Sequence, residues 1–178
     1  VSNDQNGIEK EKFWATQARE KAPWYQHEEI GYNYRMSNIL AGIGRGQLKI
    51  LEERVQKKRD IYNKYKESFQ DISDIQMGPD NLEQGDYSNH WLSVMTMQSD
   101  NVKPMNIIQE LENHNIEARP IWKPMHLQPV FQDCDFIGDG LSGEIFNTGV
   151  CLPSDTKMTD ADIDRVVKII YRCFERDE

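Results

Sequence analysis

Hydrophobic side chains recur at helical spacing in four stretches of the chain, and each stretch predicts a helix. The predicted helices are Glu9–Lys21, Asn38 to about Phe69, Pro104–His114 and a last helix that begins after Thr159. The first ends at Ala22-Pro23, because proline cannot continue the helical hydrogen-bond ladder. The last begins with a capping box, in which Asp162 stands three residues after Thr159.

Shorter stretches with β-branched and large side chains predict strands. They are Ile72–Pro79 (a short strand and turn), His90–Met97, Ile116–Trp122 and Val150–Leu152. Residues 123–143 carry prolines and glycines at irregular spacing and predict no regular element before a helical turn at Glu144–Thr148. The order of elements favours an α+β fold, with a small antiparallel or mixed sheet covered by helices on one face.

Residues 24–36 are dense in aromatic side chains and lack a clear period, which predicts a loop. So many rings are costly to leave in water, and we expect them to pack against something. In the following helix, Gly42, Gly44 and Gly46 are closely spaced. They indicate either close contact with another backbone, such as a partner subunit, or merely a kinked helix; both interpretations stay open.

Composition narrows the class of protein. The chain has 178 residues, 38% of them hydrophobic and 29% charged, which is typical of a soluble globular protein. A net charge of -9 argues against binding to nucleic acid or to an anionic membrane, since such a protein would carry a basic face. No apolar run is long enough to span a membrane, and the N-terminus does not resemble a signal peptide.

The cysteines and histidines give no sign of a metal site. Cys134, Cys151 and Cys173 are odd in number and far apart, which indicates thiols in a reducing, cytoplasmic compartment. The four histidines show no paired zinc spacing. We therefore expect a cytoplasmic protein without a structural metal.

Two segments carry candidate chemistry. Asn33 and Arg35 stand two residues apart before a helix start, a pattern suited to an anion such as phosphate, although a packed loop would look the same. In the second segment, 119–126, Trp122 is able to stack on a base or a sugar while Arg119 and Lys123 offset negative charge, and His126 follows. A surface cluster around a core tryptophan is the alternative there.

Other patterns are interpreted as structural. His90 stands alone at a strand start, where a histidine is usually structural. The glycines of 42–46 have no strand before them, so they do not form a phosphate loop. The sequence contains no nucleophile motif, and no residue is assigned as catalytic.

Taken together, several segments resemble one family. They are Gln17-Ala18-Arg19, residues 27–41, Gln47-Leu48, residues 119–126, residues 149–154 and residues 158–163. In this order they resemble the nucleotide-sugar aminotransferases of the DegT/DnrJ/EryC1/StrS family over nearly the whole chain.

The resemblance implies a fold-type-I enzyme that uses pyridoxal 5'-phosphate to move an amino group from glutamate onto a keto-sugar nucleotide. Such enzymes are homodimers whose active sites are shared between subunits. By resemblance, Asn33 corresponds to the asparagine that reaches the cofactor phosphate of the neighbouring subunit, and Arg35 lies on the same loop. The segment with Arg119, Trp122, Lys123 and His126 borders the sugar-nucleotide cleft.

The family's Schiff-base lysine and the acid that pairs with the pyridine nitrogen belong to a larger N-terminal domain, and no lysine of this chain lies in the Schiff-base context. The resemblance thus implies that residues 1–36 are a remnant of the large cofactor domain with its connecting loop, and that 37–178 form the C-terminal small domain. We expect the isolated chain neither to retain pyridoxal phosphate nor to transaminate. The alternative is a non-catalytic binding or dimerisation module derived from the family.

Overall fold

The computed structural model describes residues 2–78 and 86–175. The chain divides into two compact units, Val1–Ile50 and Leu51–Glu178. The helices are α1 (Gln5–Ala15), α2 (Asn38–Leu48), α3 (Leu51–Ser68), α4 (Pro104–Asn113), α5 (Leu141–Thr148) and α6 (Asp160–Glu175). The strands are β1 (Ile75–Gly78), β2 (Ser93–Met97), β3 (Arg119–Pro120) and β4 (Gly149–Leu152).

The first unit begins with α1, which is capped by Asp4 and ends six residues earlier than the sequence predicts. Gln17 and Ala18 are expected on the helix, but both take left-handed backbone conformations, with φ of 71° and 48°. The chain reverses there and pairs with a later segment through the bridge between Thr16 and Asn33. This long-range pairing ends α1 before Pro23 is reached.

The predicted helix from Asn38 to Phe69 is interrupted. A turn at Lys49 and Ile50 separates α2 from α3, with the Ile50 N–H donating to the Gln47 carbonyl at 3.1 Å. The Ser37 hydroxyl accepts from the Leu40 N–H at 3.3 Å and caps α2 as expected. No residue of α2 is buried among the described residues, so its apolar side chains, such as Ile39, face outward.

The second unit holds an antiparallel sheet in the order β1-β2-β4-β3. Alternate residues of the central strands, Met95 and Met97 on β2 and Val150 and Leu152 on β4, belong to the hydrophobic core. Three helices cover this face with buried residues. They contribute Ile61, Tyr62 and Tyr65 from α3, Ile107 and Leu111 from α4, and Ile163, Val166 and Ile170 from α6. The predicted α+β class with a small antiparallel sheet is confirmed.

The individual elements follow the sequence prediction with differences at their ends. β3 has only two residues where a strand from Ile116 to Trp122 is expected, and β2 starts at Ser93 rather than at His90. The predicted turn at Pro79 lies outside the described residues. The capping box of α6 is present, since the Thr159 N–H donates to Asp162 at 2.8 Å and the Asp162 N–H donates back to the Thr159 hydroxyl at 3.3 Å.

The boundary between the compact units does not coincide with the predicted domain boundary. The units part after Ile50, whereas the sequence suggests Met36 as the last residue of the cofactor-domain remnant. The assignment of residues 1–36 and 37–178 to two domains of a larger enzyme stays a prediction.

Candidate functional site

A backbone ladder holds the segment that carries Asn33. The Tyr32 N–H donates to the Trp14 carbonyl at 2.8 Å, the Gln17 N–H donates to the Tyr32 carbonyl at 3.1 Å, and the Tyr34 N–H donates to the Ala15 carbonyl at 3.1 Å. These three hydrogen bonds hold Asn33 against the end of α1 rather than on a free loop.

Gly31 is required by this close packing. A Cβ atom at Gly31 would lie 2.4 Å from the Ala18 nitrogen and 2.5 Å from the Gln17 carbonyl carbon, where nonbonded carbon and nitrogen atoms cannot approach. Ala18 itself is fully buried. Ala18 and Gly31 are both small residues, and they belong to two separate segments of the family resemblance, 17–19 and 27–41. In the structure these two residues are in close contact.

Polar side chains fasten the same loop. Glu29 accepts hydrogen bonds from Lys10 and from the Trp14 indole, the latter at 2.6 Å, and these bonds hold the pKa of Glu29 below its ordinary value. The His27 Nδ1 lies 2.9 Å from the Gln17 carbonyl oxygen. Because a carbonyl only accepts, Nδ1 carries the hydrogen in this contact.

The side chains of Asn33 and Arg35 are exposed above this framework. Neither makes a hydrogen bond or an ion pair with any other residue among those the structure describes. A carboxamide and an uncompensated guanidinium that are held next to the start of α2 are suited to bind an oxyanion such as a phosphate.

The second candidate segment lies in the other compact unit, at the edge of the sheet. β3 pairs with β4, with Arg119 opposite Cys151. The Arg119 guanidinium donates to Glu117 at 2.7 Å, in an ion pair whose two side chains are largely exposed. Arg119 is therefore partly compensated, unlike Arg35.

Trp122 does not enter the core. Its indole is 63% exposed and stacks on that of Trp91, with ring centroids 6.0 Å apart and planes 20° apart. Both indoles, together with Arg119 and Cys151, line a cavity of about 410 Å³. The interpretation of Trp122 as a core tryptophan is wrong.

One wall of this cavity includes Pro153 and Ser154, which α3 holds in place. The Tyr65 hydroxyl donates to the Pro153 carbonyl at 3.0 Å, and the Lys58 ammonium donates to the Ser154 carbonyl. Burial raises the pKa of Tyr65 and lowers that of Lys58. The motif residues 149–154 therefore form a fixed wall rather than a reactive group.

The remaining predicted residues lie apart from that cavity. His126 stacks on Phe136, with centroids 3.9 Å apart, and these two rings line a separate cavity of about 330 Å³. Lys123 is exposed, and its side chain is unpaired among the described residues. Of the four candidates in this segment, Arg119 and Trp122 line the cavity of about 410 Å³, and His126 lines the separate one.

Sequence reasoning missed Trp91. It stands beside His90, whose ring stacks on Tyr62 with centroids 3.8 Å apart, as expected of a structural histidine. An aromatic residue at the start of a strand is usually interpreted as core, and only the contact with Trp122 distinguishes this one. That contact joins positions 31 residues apart in sequence, so no local pattern indicates it.

Within residues 2–78 and 86–175, no three histidine, cysteine or acidic side chains are grouped so that they would hold a metal ion. Over the same ranges, no helix combines the length and the apolar character that crossing a membrane requires.

The comparisons with known proteins agree with the family resemblance of the sequence segments. The family model described as the DegT/DnrJ/EryC1/StrS aminotransferase family matches residues 1–171. EpsN of Bacillus subtilis (strain 168), whose name carries a provisional assignment as a pyridoxal phosphate-dependent aminotransferase, is 43% identical over 178 residues. That match covers 98% of this chain and 45% of EpsN.

More distant relatives extend the pattern. GDP-perosamine synthase of Vibrio cholerae is 29% identical over 84% of this chain and 41% of its own length. The structure of Helicobacter pylori PseC, an aminotransferase involved in the biosynthesis of pseudoaminic acid, superposes with a TM-score of 0.85 at 21% identity, over 99% of this chain and 48% of PseC. The chain thus spans less than half the length of the curated relatives that it matches, and its predicted fold is confirmed.

Proposed function

We propose a function from one premise: the chain belongs to the DegT/DnrJ/EryC1/StrS aminotransferase family. On that premise it is the C-terminal part of a pyridoxal phosphate-dependent enzyme that transfers an amino group from glutamate to a keto-sugar nucleotide. The observation that carries the proposal is the family match over residues 1–171, in which every motif of the sequence analysis falls. The GDP-perosamine synthases among the relatives, whose product name is that of an amino sugar nucleotide, support the substrate class.

The residues at the first candidate segment fit the cofactor's phosphate. Asn33 offers two N–H donors and Arg35 a positive charge, and neither is engaged by another described residue. Pyridoxal phosphate, when bound, would supply the electron sink that takes up the electron pair when a proton leaves the carbon that bears the amino group. The role of Asn33 and Arg35 is to anchor its phosphate and so to fix its orientation.

The surface around Asn33 supports a contact across a homodimer. Tyr25, Ile30 and Tyr34 are each more than three-quarters exposed, although they are large and apolar. Patches of this kind on a protein surface mark interaction sites. A second subunit that covers them would agree with the contact that the family resemblance implies between Asn33 and the neighbouring subunit's cofactor.

Arg119, Trp122, Lys123 and His126 are assigned to the substrate. Trp122 presents an exposed ring face and Lys123 an uncompensated charge, which suit a sugar nucleotide with its base and diphosphate. We assign no catalytic residue within the 178 positions and infer that this chain alone neither retains the cofactor nor transaminates, because none of its lysines lies in the family's Schiff-base context.

The exposed aromatic side chains also favour a second candidate, a non-catalytic dimerisation module derived from this family. A glutamate assay on the full-length gene product separates the two. The enzyme should release 2-oxoglutarate from glutamate while bound pyridoxal phosphate becomes pyridoxamine phosphate, as followed by absorbance. A product that dimerises but leaves glutamate unchanged would exclude the enzyme.

Within that assay, Asn33→Ala tests the phosphate contact. The variant should bind pyridoxal phosphate about 10- to 150-fold more weakly, since a hydrogen bond to a charged group contributes about 1.5–3 kcal/mol. Asn6→Ala, also an exposed asparagine of residues 1–50, is the matched control and should bind as wild type. Unchanged cofactor affinity in Asn33→Ala would refute the role given to Asn33.

A further inference from the structure

We propose that the side chains of Trp91 and Trp122 together form an indole platform on which the base of the nucleotide substrate stacks. This rests on the proposed function and adds Trp91 as a residue that determines how the substrate is held. The occupant is a nucleoside diphosphate, whose base lies on the indole platform and whose phosphates extend past the cavity lining to Lys123, the residue after Trp122.

The geometry of the indole platform suits a flat ligand. The two rings are offset-stacked, with centroids 6.0 Å apart, so each covers only part of the other. Trp91 is 62% exposed and Trp122 63%, which leaves much of their ring surface open to the cavity of about 410 Å³. Proteins that bind single-stranded nucleic acid stack the bases on aromatic side chains in the same way, and this contact tolerates any base.

Contacts of the neighbouring residues restrain the backbone that carries each indole. His90 takes a left-handed conformation, φ 43°, and stacks on Tyr62, while the Ser93 N–H donates to the Ser154 hydroxyl at 2.9 Å. These contacts fix the backbone on both sides of Trp91. A non-glycine residue with positive φ is uncommon and is found disproportionately at functional sites.

On the other side, Ile121 anchors Trp122. The Ile121 side chain occupies the space above Gly149, where a Cβ would lie 2.1 Å from its Cδ1 atom. Pro120 precedes this anchor and Pro124 follows Trp122 by two residues, which restricts the backbone on either side. The backbone under the indole platform is therefore restrained, which limits the affinity that a ligand loses to ordering it.

The charges near the indole platform favour an anionic occupant. The two charged residues that line the cavity, Glu117 and Arg119, pair with each other. Lys123 follows Trp122 directly, lies outside this lining and is uncompensated within the described ranges. An apolar protein segment would cover the indoles but leave the ammonium of Lys123 unused. A base joined to a diphosphate satisfies both features at once.

The test is binding of UDP, dTDP and GDP to the full-length gene product by isothermal titration calorimetry. At least one of the three should bind. Trp91→Ala and Trp122→Ala should each weaken it by about 5- to 150-fold, the range for loss of one base-stacking contact. Neither should change the affinity for pyrophosphate, which has no base. Lys123→Ala should weaken both ligands.

Trp24→Ala is the matched control, because Trp24 is also 63% exposed but belongs to the unit of residues 1–50. It should bind as wild type does. The proposal is overturned if Trp91→Ala binds all three nucleotides as wild type does, if none of them binds to wild type, or if the substitution only changes the oligomeric state.

The glutamate assay separates this proposal from the proposed function. Wild type that releases 2-oxoglutarate but binds nucleotides independently of Trp91 would refute the indole platform alone. Trp91-dependent nucleotide binding without any reaction of glutamate would refute the aminotransferase and leave the indole platform standing.

Discussion

Replacing Gly31 with alanine should loosen the loop that carries Asn33. The added Cβ would lie 2.4 Å from the Ala18 nitrogen, 2.5 Å from the Gln17 carbonyl carbon and 2.7 Å from the Ala18 Cβ. Two of these three atoms belong to the backbone, and Ala18 is fully buried, so no flexible side chain is able to move aside.

The magnitude follows from the cost of overpacking. Forcing a methyl group into a closely packed position costs about 1–3 kcal/mol, and we expect the upper part of that range because backbone must shift. Alanine restricts the unfolded chain more than glycine does, which offsets about 0.4–1 kcal/mol. The loop should therefore lose about 2 kcal/mol of local stability.

Hydrogen exchange measures this directly. The amides of Gln17, Tyr32 and Tyr34 donate the hydrogen bonds that join the loop to the end of α1. A loss of about 2 kcal/mol should speed their exchange about 30-fold. Through the displaced Asn33, the variant of the full-length gene product should also bind pyridoxal phosphate more weakly.

Gly42→Ala is the matched control. A Cβ at Gly42 meets no atom within 4 Å, and the residue lies inside α2. Alanine there should leave the three loop amides unchanged and stabilise the helix by up to about 1 kcal/mol. If Gly31→Ala exchanges at the same rates as Gly42→Ala, the close packing of the loop is not what holds Asn33.

Two further predictions each concern one side chain that forms hydrogen bonds. The pKa of Glu29 lies below its ordinary 4.5 because Lys10 and Trp14 donate hydrogen bonds to it. The ionised Glu29 therefore stabilises the fold above about pH 4.5, and this contribution is lost as the pH falls through the lowered pKa. In thermal melts Glu29→Gln should flatten the acid dependence of stability, and an unchanged profile would refute this prediction. Tyr65→Phe removes the donor to the Pro153 carbonyl and should cost about 1–2 kcal/mol in urea denaturation, whereas a loss near zero would mean that this bond does not hold the cavity wall.

The sequence predicts best where the signal is local. The capping box of Thr159 and Asp162, the helix predicted from Pro104 and the strand predicted up to Met97 each depend on residues close together in sequence, and all three are found in the structure. Local rules govern these elements because their hydrogen bonds close within one turn or along one pleated strand.

Prediction from sequence fails where contacts between residues far apart in the sequence determine where an element ends. α1 ends at Ala15 because the chain reverses at Gln17 and pairs with the segment around Asn33, and a scan for helix breakers finds only Pro23. The predicted β3 strand shrinks to two residues because only Arg119 and Pro120 pair with β4. Neither outcome is encoded in a short window.

The candidate site shows the same division. The segments that contain Asn33 and Trp122 are recognisable from their own residues and from the family resemblance. The contacts that position these segments are not recognisable from the sequence, because Gly31 contacts Ala18 and Trp122 contacts Trp91 only in the folded chain. Sequence therefore identifies the segments, and structure identifies their partners.

A hybrid-dimer experiment tests the central claim most directly. One subunit of the full-length gene product carries Asn33→Ala, and the other lacks the Schiff-base lysine that the family places upstream of this chain. If Asn33 serves the neighbouring subunit's cofactor, one of the two sites in the hybrid regains both groups, and amino transfer from glutamate to a keto-sugar nucleotide should return to about half of the wild-type rate per dimer. If the hybrid is no more active than the two defective parents, Asn33 does not act across the dimer and the account is contradicted.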